Sequence, residues 1–148
     1  MKTPIARVNI DSMSVVEANM RVEHQPAESM GLRMSVNLDS TSFDNSSDEE
    51  YRYSLVLRVI AELLNNDDDE DVRMSLMACV DTTVSTSTDD ITEEEAASYL
   101  LLNGVSMAYA HARSYLMTLT ALSPMRPFVI PPIVPQVFIE QVLENNQE

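Results

Sequence analysis

Residues 127–135 read Pro127-Phe128-Val129-Ile130-Pro131-Pro132-Ile133-Val134-Pro135, an apolar run interrupted again and again by proline. Proline holds φ near about −65° and carries no amide hydrogen, so this run cannot join a sheet ladder and is expected to be an extended strap lying on a surface. A strap this apolar needs a cover, which its own domain, a second subunit or a bound chain can supply. Upstream, Thr92 to Leu122 carries a helical stripe of Ala96, Tyr99, Leu100, Val105, Met107, Tyr109, Ala112, Leu116 and Leu119, with a soft break expected at Asn103-Gly104. Thr92 suits the N-cap, Glu95 closes a capping box, and Ile91 and Ala96 are spaced for a hydrophobic staple. Downstream, Pro135 suits the first turn of a last short helix bearing Val137, Phe138, Val142 and Leu143.

Ahead of the helix the periodicity is two. Tyr51, Tyr53, Leu55, Leu57, Val59, Ala61 and Leu63 share one face of a strand, with Arg52, Ser54, Arg58 and Glu62 on the other. Val72, Met74, Leu76, Ala78, Val80, Thr82 and Val84 alternate in the same way, so the two segments form an antiparallel hairpin with a charged tip over Asn65 to Asp71. Leu32, Met34, Val36 and Leu38 mark a third strand, followed by a polar loop from Ser40 to Asp48. Ala6, Val8 and Ile10 begin a first strand whose phase slips near Asp11-Ser12, as a bulge would produce, before Val16, Ala18, Met20 and Val22 resume. The expected architecture is α+β: a four-stranded antiparallel sheet over about residues 4–86, with helices over about 92–146 on one face, in a single domain spanning 1–148.

Composition narrows the function classes. A net charge of −15 makes nucleic acid and anionic membrane surfaces poor direct partners, because both would be repelled. A hydrophobic content of 45% argues for a packed core. No run approaches the ~20 apolar residues of a membrane span, and the first residues do not resemble a signal peptide, so the expected location is cytoplasmic with no membrane insertion.

Catalytic constellations fail one by one. Asp67, Asp69 and Asp71 have calcium-loop spacing, but Val72 stands where glycine is required and Ala78 where a bidentate glutamate belongs. His24 and His111 lack a ligand partner at a useful spacing, and two glycines, Gly31 and Gly104, cannot build a phosphate loop. Cys79, the only cysteine, falls on the polar strand face beside Asp81, where a carboxylate would raise its pKa. Glu93 to Glu95 favour the helix dipole. The expectation is a binding protein, with no enzyme activity, cofactor or metal. Ten methionines, among them Met20, Met34, Met74, Met77, Met107 and Met117, fit either core filling or adaptable apolar surfaces.

The order of elements resembles the SecB family of export chaperones from about Ile5 to Phe138. Three places carry the likeness: Tyr51 to Val59 as a central strand, Met107-Ala108-Tyr109-Ala110-His111-Ala112-Arg113 through Leu116 in the long helix, and Val129-Ile130-Pro131-Pro132-Ile133 in the crossover. Val134-Pro135 stand where the family has Asn-Phe, and Tyr109-Ala110-His111 where it has aromatic-Pro-Tyr.

The resemblance implies an ATP-independent holdase that keeps unfolded preproteins export-competent for the Sec pathway, built as a homotetramer, a dimer of dimers. Client-lining residues would be Val36, Leu57, Val59, Met107, Phe128, Val129, Ile130, Ile133, Val137 and Phe138. Tyr109, Arg113 and Leu116 would lie at the oligomer interface, and Asp11, Glu17 and Asp81 would be the acids available to the motor protein SecA. Replacing Ile130 and Ile133 by Asp is expected to abolish holdase activity with the oligomer intact. A dedicated chaperone of one partner, such as the antitoxin of a toxin–antitoxin system, and a non-chaperone acidic oligomeric adaptor are the alternatives.

Overall fold

The computed structural model describes residues 7–89, 91–125 and 128–146. Ala6, Pro127 and the strand start near residue 4 fall outside the described residues. The elements run β1 (Asn9–Val22), β2 (Met30–Asp44), β3 (Glu50–Asn65), β4 (Asp68–Ser87), α1 (Glu93–Ala121) and α2 (Pro135–Asn146). The strands make one antiparallel sheet in the order β1-β4-β3-β2, a Greek-key arrangement in which the connection after β1 carries the chain to the far edge. Both β1 and β2 are therefore edge strands.

Register follows the alternation. Leu55, Leu57, Val59, Ala61 and Leu63 of β3 and Met74, Leu76, Ala78, Val80 and Val84 of β4 all point beneath α1 and are buried. The expected slip in β1 is present, as a register shift between Ile10 and Ser12, with a second between Val15 and Glu17.

Three expectations need correction. The hairpin tip is shorter than the acidic run implied: Asn65 pairs with Asp68, so Asn66 and Asp67 make the turn, while Asp69 to Asp71 are taken up within β4 by register shifts. The run from Ser40 to Asp44 is strand, paired down to Asp44 opposite Arg52. A register shift at Asp39 inverts its phase and turns Phe43 toward Tyr53 and Tyr51, with ring centroids 5.7 and 5.9 Å apart. Polar side chains had hidden the strand, because pairing with β3 decides it.

Nor does α1 break at Asn103-Gly104; it is continuous over its 29 residues. A Cβ on Gly104 would lie 2.8 Å from Leu55 Cδ2, so the glycine marks a close approach of the helix to the sheet. The capping box forms as expected: Glu95 N–H donates to Thr92 Oγ1 at 3.2 Å and Thr92 N–H to Glu95 Oε2 at 3.5 Å. Ala96, Leu100, Val105, Ala108, Ala112 and Leu116 face the sheet. Small residues in the middle of this face let the axis sit low over β3 and β4. Gly104→Val should lift α1 from Leu55 and cost about 2 kcal/mol of stability by urea unfolding, against the gain in helix propensity over glycine.

Candidate functional site

The strap leaves α1 and turns back along it. Phe128 N–H donates to Thr120 Oγ1 at 2.9 Å. Arg113 Nε donates to the Ile130 carbonyl at 2.5 Å, and the Tyr109 hydroxyl donates to the Pro131 carbonyl. Residues 120, 113 and 109 thus meet 128, 130 and 131, so the strap runs antiparallel to the helix. Ile130 is 1% exposed and closes the core, whereas Val129, Val134 and Val137 are 58%, 59% and 48% exposed. The strap is not a fifth strand.

A row of three clefts, a discontinuous trench, lies between the strap and α2 on one side and the edge strand β2 on the other. At one end Met30 and Leu63 face Met125 and Phe128 across a cleft of about 680 Å³. Midway, Val36 faces Ile133, Val134, Val137 and Phe138 around about 330 Å³. At the far end Leu38 to Thr41 and Tyr53 face Leu101, Ile139, Val142 and Leu143 around about 400 Å³. From Met30 to Thr41 an extended strand spans about 35 Å. The three clefts are spread along that length of β2.

The expected client-lining residues divide. Val36, Phe128, Ile133, Val137 and Phe138 line the trench, and Val129 projects from the strap. Met107 is half-buried on α1. Leu57 and Val59 are fully buried under α1 and Ile130 is in the core, so none of these three is a contact surface for a bound chain. Alternation put Leu57 and Val59 on the correct face, but that face belongs to the helix. Likewise Ile130→Asp would bury an unpaired carboxylate and disrupt folding, so the expected double aspartate replacement cannot report on binding alone. Tyr109 and Leu116 are buried within the chain, and Arg113 is turned to the strap, so this trio does not form an outward interface. Sequence inspection missed Leu101, Ile139 and the run Asp39 to Thr41. The signal available for the last was the phase slip at Asp39.

On the opposite sheet face the arginines are matched to acids. Arg52 lies 3.4 Å from Asp11 and 2.5 Å from Glu50; Arg58 lies 2.7 Å from Asp39 and 3.8 Å from Glu17. Asp11 also accepts from the Ser85 hydroxyl at 3.1 Å. Asp81 is half-buried on the same face, between Ser14 and Val56 in the ladder. Cys79, placed by sequence on the polar strand face beside Asp81, is buried, since β4 has a neighbour on each side. Burial pushes its thiol pKa up; Asp39, Glu17 and Asp81 push the same way, and Arg58 opposes them. Among the described residues no group of three or more His, Cys, Asp or Glu is arranged to hold a metal, and no helix is long and apolar enough to cross a membrane.

The fold has counterparts among solved structures. It matches the Mycobacterium tuberculosis SecB-like chaperone Rv1957, solved in complex with a ChAD peptide from the Rv1956 HigA1 antitoxin. The TM-score is 0.65, over 86% of this chain and 91% of that one, at 15% identity. The fold is SecB-like. A protein of unknown function from Streptococcus agalactiae also aligns, with a TM-score of 0.45 over 87% of this chain and 99% of that one at 8% identity. No family model matches the sequence, and no curated protein matches it. The likeness to Rv1957 is one of fold, with little sequence in common.

Burial raises the Tyr109 pKa, against the opposing charge of Arg113, so the phenol that holds Pro131 stays protonated at neutral pH. The folded pKa lies above the unfolded value of about 10. Stability from the neutral phenol is thus complete below that pH and is lost as pH climbs through the folded value. In thermal melts from pH 8 to 11, the wild type should lose Tm more steeply than Tyr109→Phe above about pH 10.

Proposed function

We propose that this protein is an ATP-independent chaperone that receives extended, non-native polypeptide in the trench beside β2. The carrying observation is the row of clefts between β2 and the strap and α2, where exposed Val134 and Val137 and half-buried Val36, Ile133 and Phe138 offer apolar contacts to an extended chain. Burial of apolar side chains contributes about 25 cal/mol per Å², so several shallow stations can hold a chain without a sequence code. Clients are unfolded preproteins kept competent for the Sec pathway, and release follows handover to a motor such as SecA, docking at Asp11, Glu17 and Asp81. The protein works in the cytoplasm as a homotetramer, a dimer of dimers. Its contact between copies uses the outward side of α1, where Tyr115, Met117 and Leu122 are exposed, in place of Tyr109 and Leu116.

A dedicated chaperone of one partner, such as an antitoxin, is the second reading. Two observations favour it: the similar Rv1957 is a SecB-like chaperone solved with an antitoxin peptide, and Asp11 and Glu17 are both engaged by arginine.

Light scattering from reduced, aggregating lysozyme, without ATP and at several molar ratios, tests the main reading. Suppression is expected near one oligomer per client, and Ile133→Asp with Val137→Asp should reduce it at least tenfold while circular dichroism is unchanged. Absence of suppression by the wild type would remove the general holdase and leave the dedicated partner. Sedimentation should show a tetramer, which Met117→Glu with Leu122→Glu converts to smaller species; a monomeric wild type would refute the assembly.

A further inference from the structure

Tyr109 and Arg113 are four residues apart on α1 and so project from successive turns of one helix face. They take hold of two successive carbonyls, those of Pro131 and Ile130. Those carbonyls lie where the strap lacks donors of its own, because Pro131 and Pro132 have no amide hydrogen. The result is unusual for an extended segment near an open sheet edge. The β2 edge offers unpaired backbone groups on alternate residues, and a strap with normal amides alongside would be drawn to zip onto it. Here proline denies the strap a ladder and the helix supplies its hydrogen bonds instead. The Tyr109 hydroxyl also lies 3.7 Å from Met34 Sδ on β2, so the same side chain touches both walls.

We propose that Tyr109 and Arg113 are positioning residues forming a latch that fixes the stand-off between strap and β2, and with it the walls of the clefts on either side of Met34. The latch rests on the chain-binding reading of the trench and adds to it how the site is kept ready. With the latch closed, the strap is held at Phe128 through Thr120, at Ile130 by the core, and at residues 130 and 131 by the two side chains. With it open, residues 131–134 are free to move between Ile130 and the start of α2. A bound chain then faces a mobile wall, and the ordering cost that the latch had met falls on binding. The latch works through the neutral Tyr109 phenol, which burial favours.

The test uses fluorescently labelled, reduced and carboxamidomethylated lysozyme, a permanently unfolded basic chain, together with amide hydrogen exchange on the full-length protein. Tyr109→Phe with Arg113→Met should speed exchange of the Phe128 amide, which donates to Thr120 Oγ1, at least tenfold while β3 and β4 keep their protection. The same variant should release the labelled chain about tenfold faster. Arg113→Lys, which retains a donor for the Ile130 carbonyl, should recover most of both effects. Should the double variant fail to fold, Tyr109→Phe alone removes one hydroxyl and should give the same pattern at roughly threefold. Unchanged strap exchange would refute the latch, and so would a loosened strap that releases the chain at the wild-type rate. Failure of the wild type to bind the labelled chain at all would instead overturn the chaperone reading, and it would be seen before any variant is compared.

Discussion

The contact on which the structure depends is the close approach of α1 to the sheet where Gly104 meets Leu55. A helix this low over β3 and β4 turns the inner face of both strands into interior, which is why Leu57, Val59 and Val80 lose all contact with solvent. It also decides where the next segment can go. With β3 and β4 roofed, the strap cannot lie over the middle of the sheet. It follows α1 back toward β2, and the trench is the space left between them. Moving the helix outward by one side-chain layer would give the strap another path.

Proline is the second constraint, and it acts by subtraction. An exposed edge such as β2 invites pairing, and an apolar segment from the same chain is the nearest candidate. Removing amide hydrogens at Pro131 and Pro132 withdraws that possibility, while Pro135 starts α2 at a position where its missing donor is not needed. The strap then depends on side chains of α1 for its hydrogen bonds. Tyr109 and Arg113, which the family resemblance placed between subunits, face inward for that reason. Their chemistry was recognisable in the sequence; the partner they bind was not.

The outer sheet face shows a different balance. A chain with a net charge of −15 still pairs Arg21, Arg33, Arg52, Arg58 and Arg73 with carboxylates across or along the strands. Exposed pairs of this kind contribute little to stability individually. Their effect is to place the positive charges of this face next to specific acids, Glu17 and Asp11 included.

Local chemistry was enough to determine the order and type of the elements, though not all of their bounds. Alternation in 51–64 and 72–85, the Thr92–Glu95 capping box, the phase slip at Asp11 and the proline at the head of α2 are all short-range signals, and each has its counterpart in the fold. The likeness of Pro-Pro-Ile and of the order of elements also reached the SecB-like architecture. What the tertiary structure alone decided was accessibility and partnership: that Leu57, Val59 and Ile130 are interior, that β2 continues through the polar run to Asp44, that Gly104 is a point of approach, and that Tyr109 and Arg113 hold the strap. Periodicity reports which residues share a face. Whether that face meets a helix, a strap or water depends on the order of strands and the height of the helix, which arise from contacts between residues far apart in the chain.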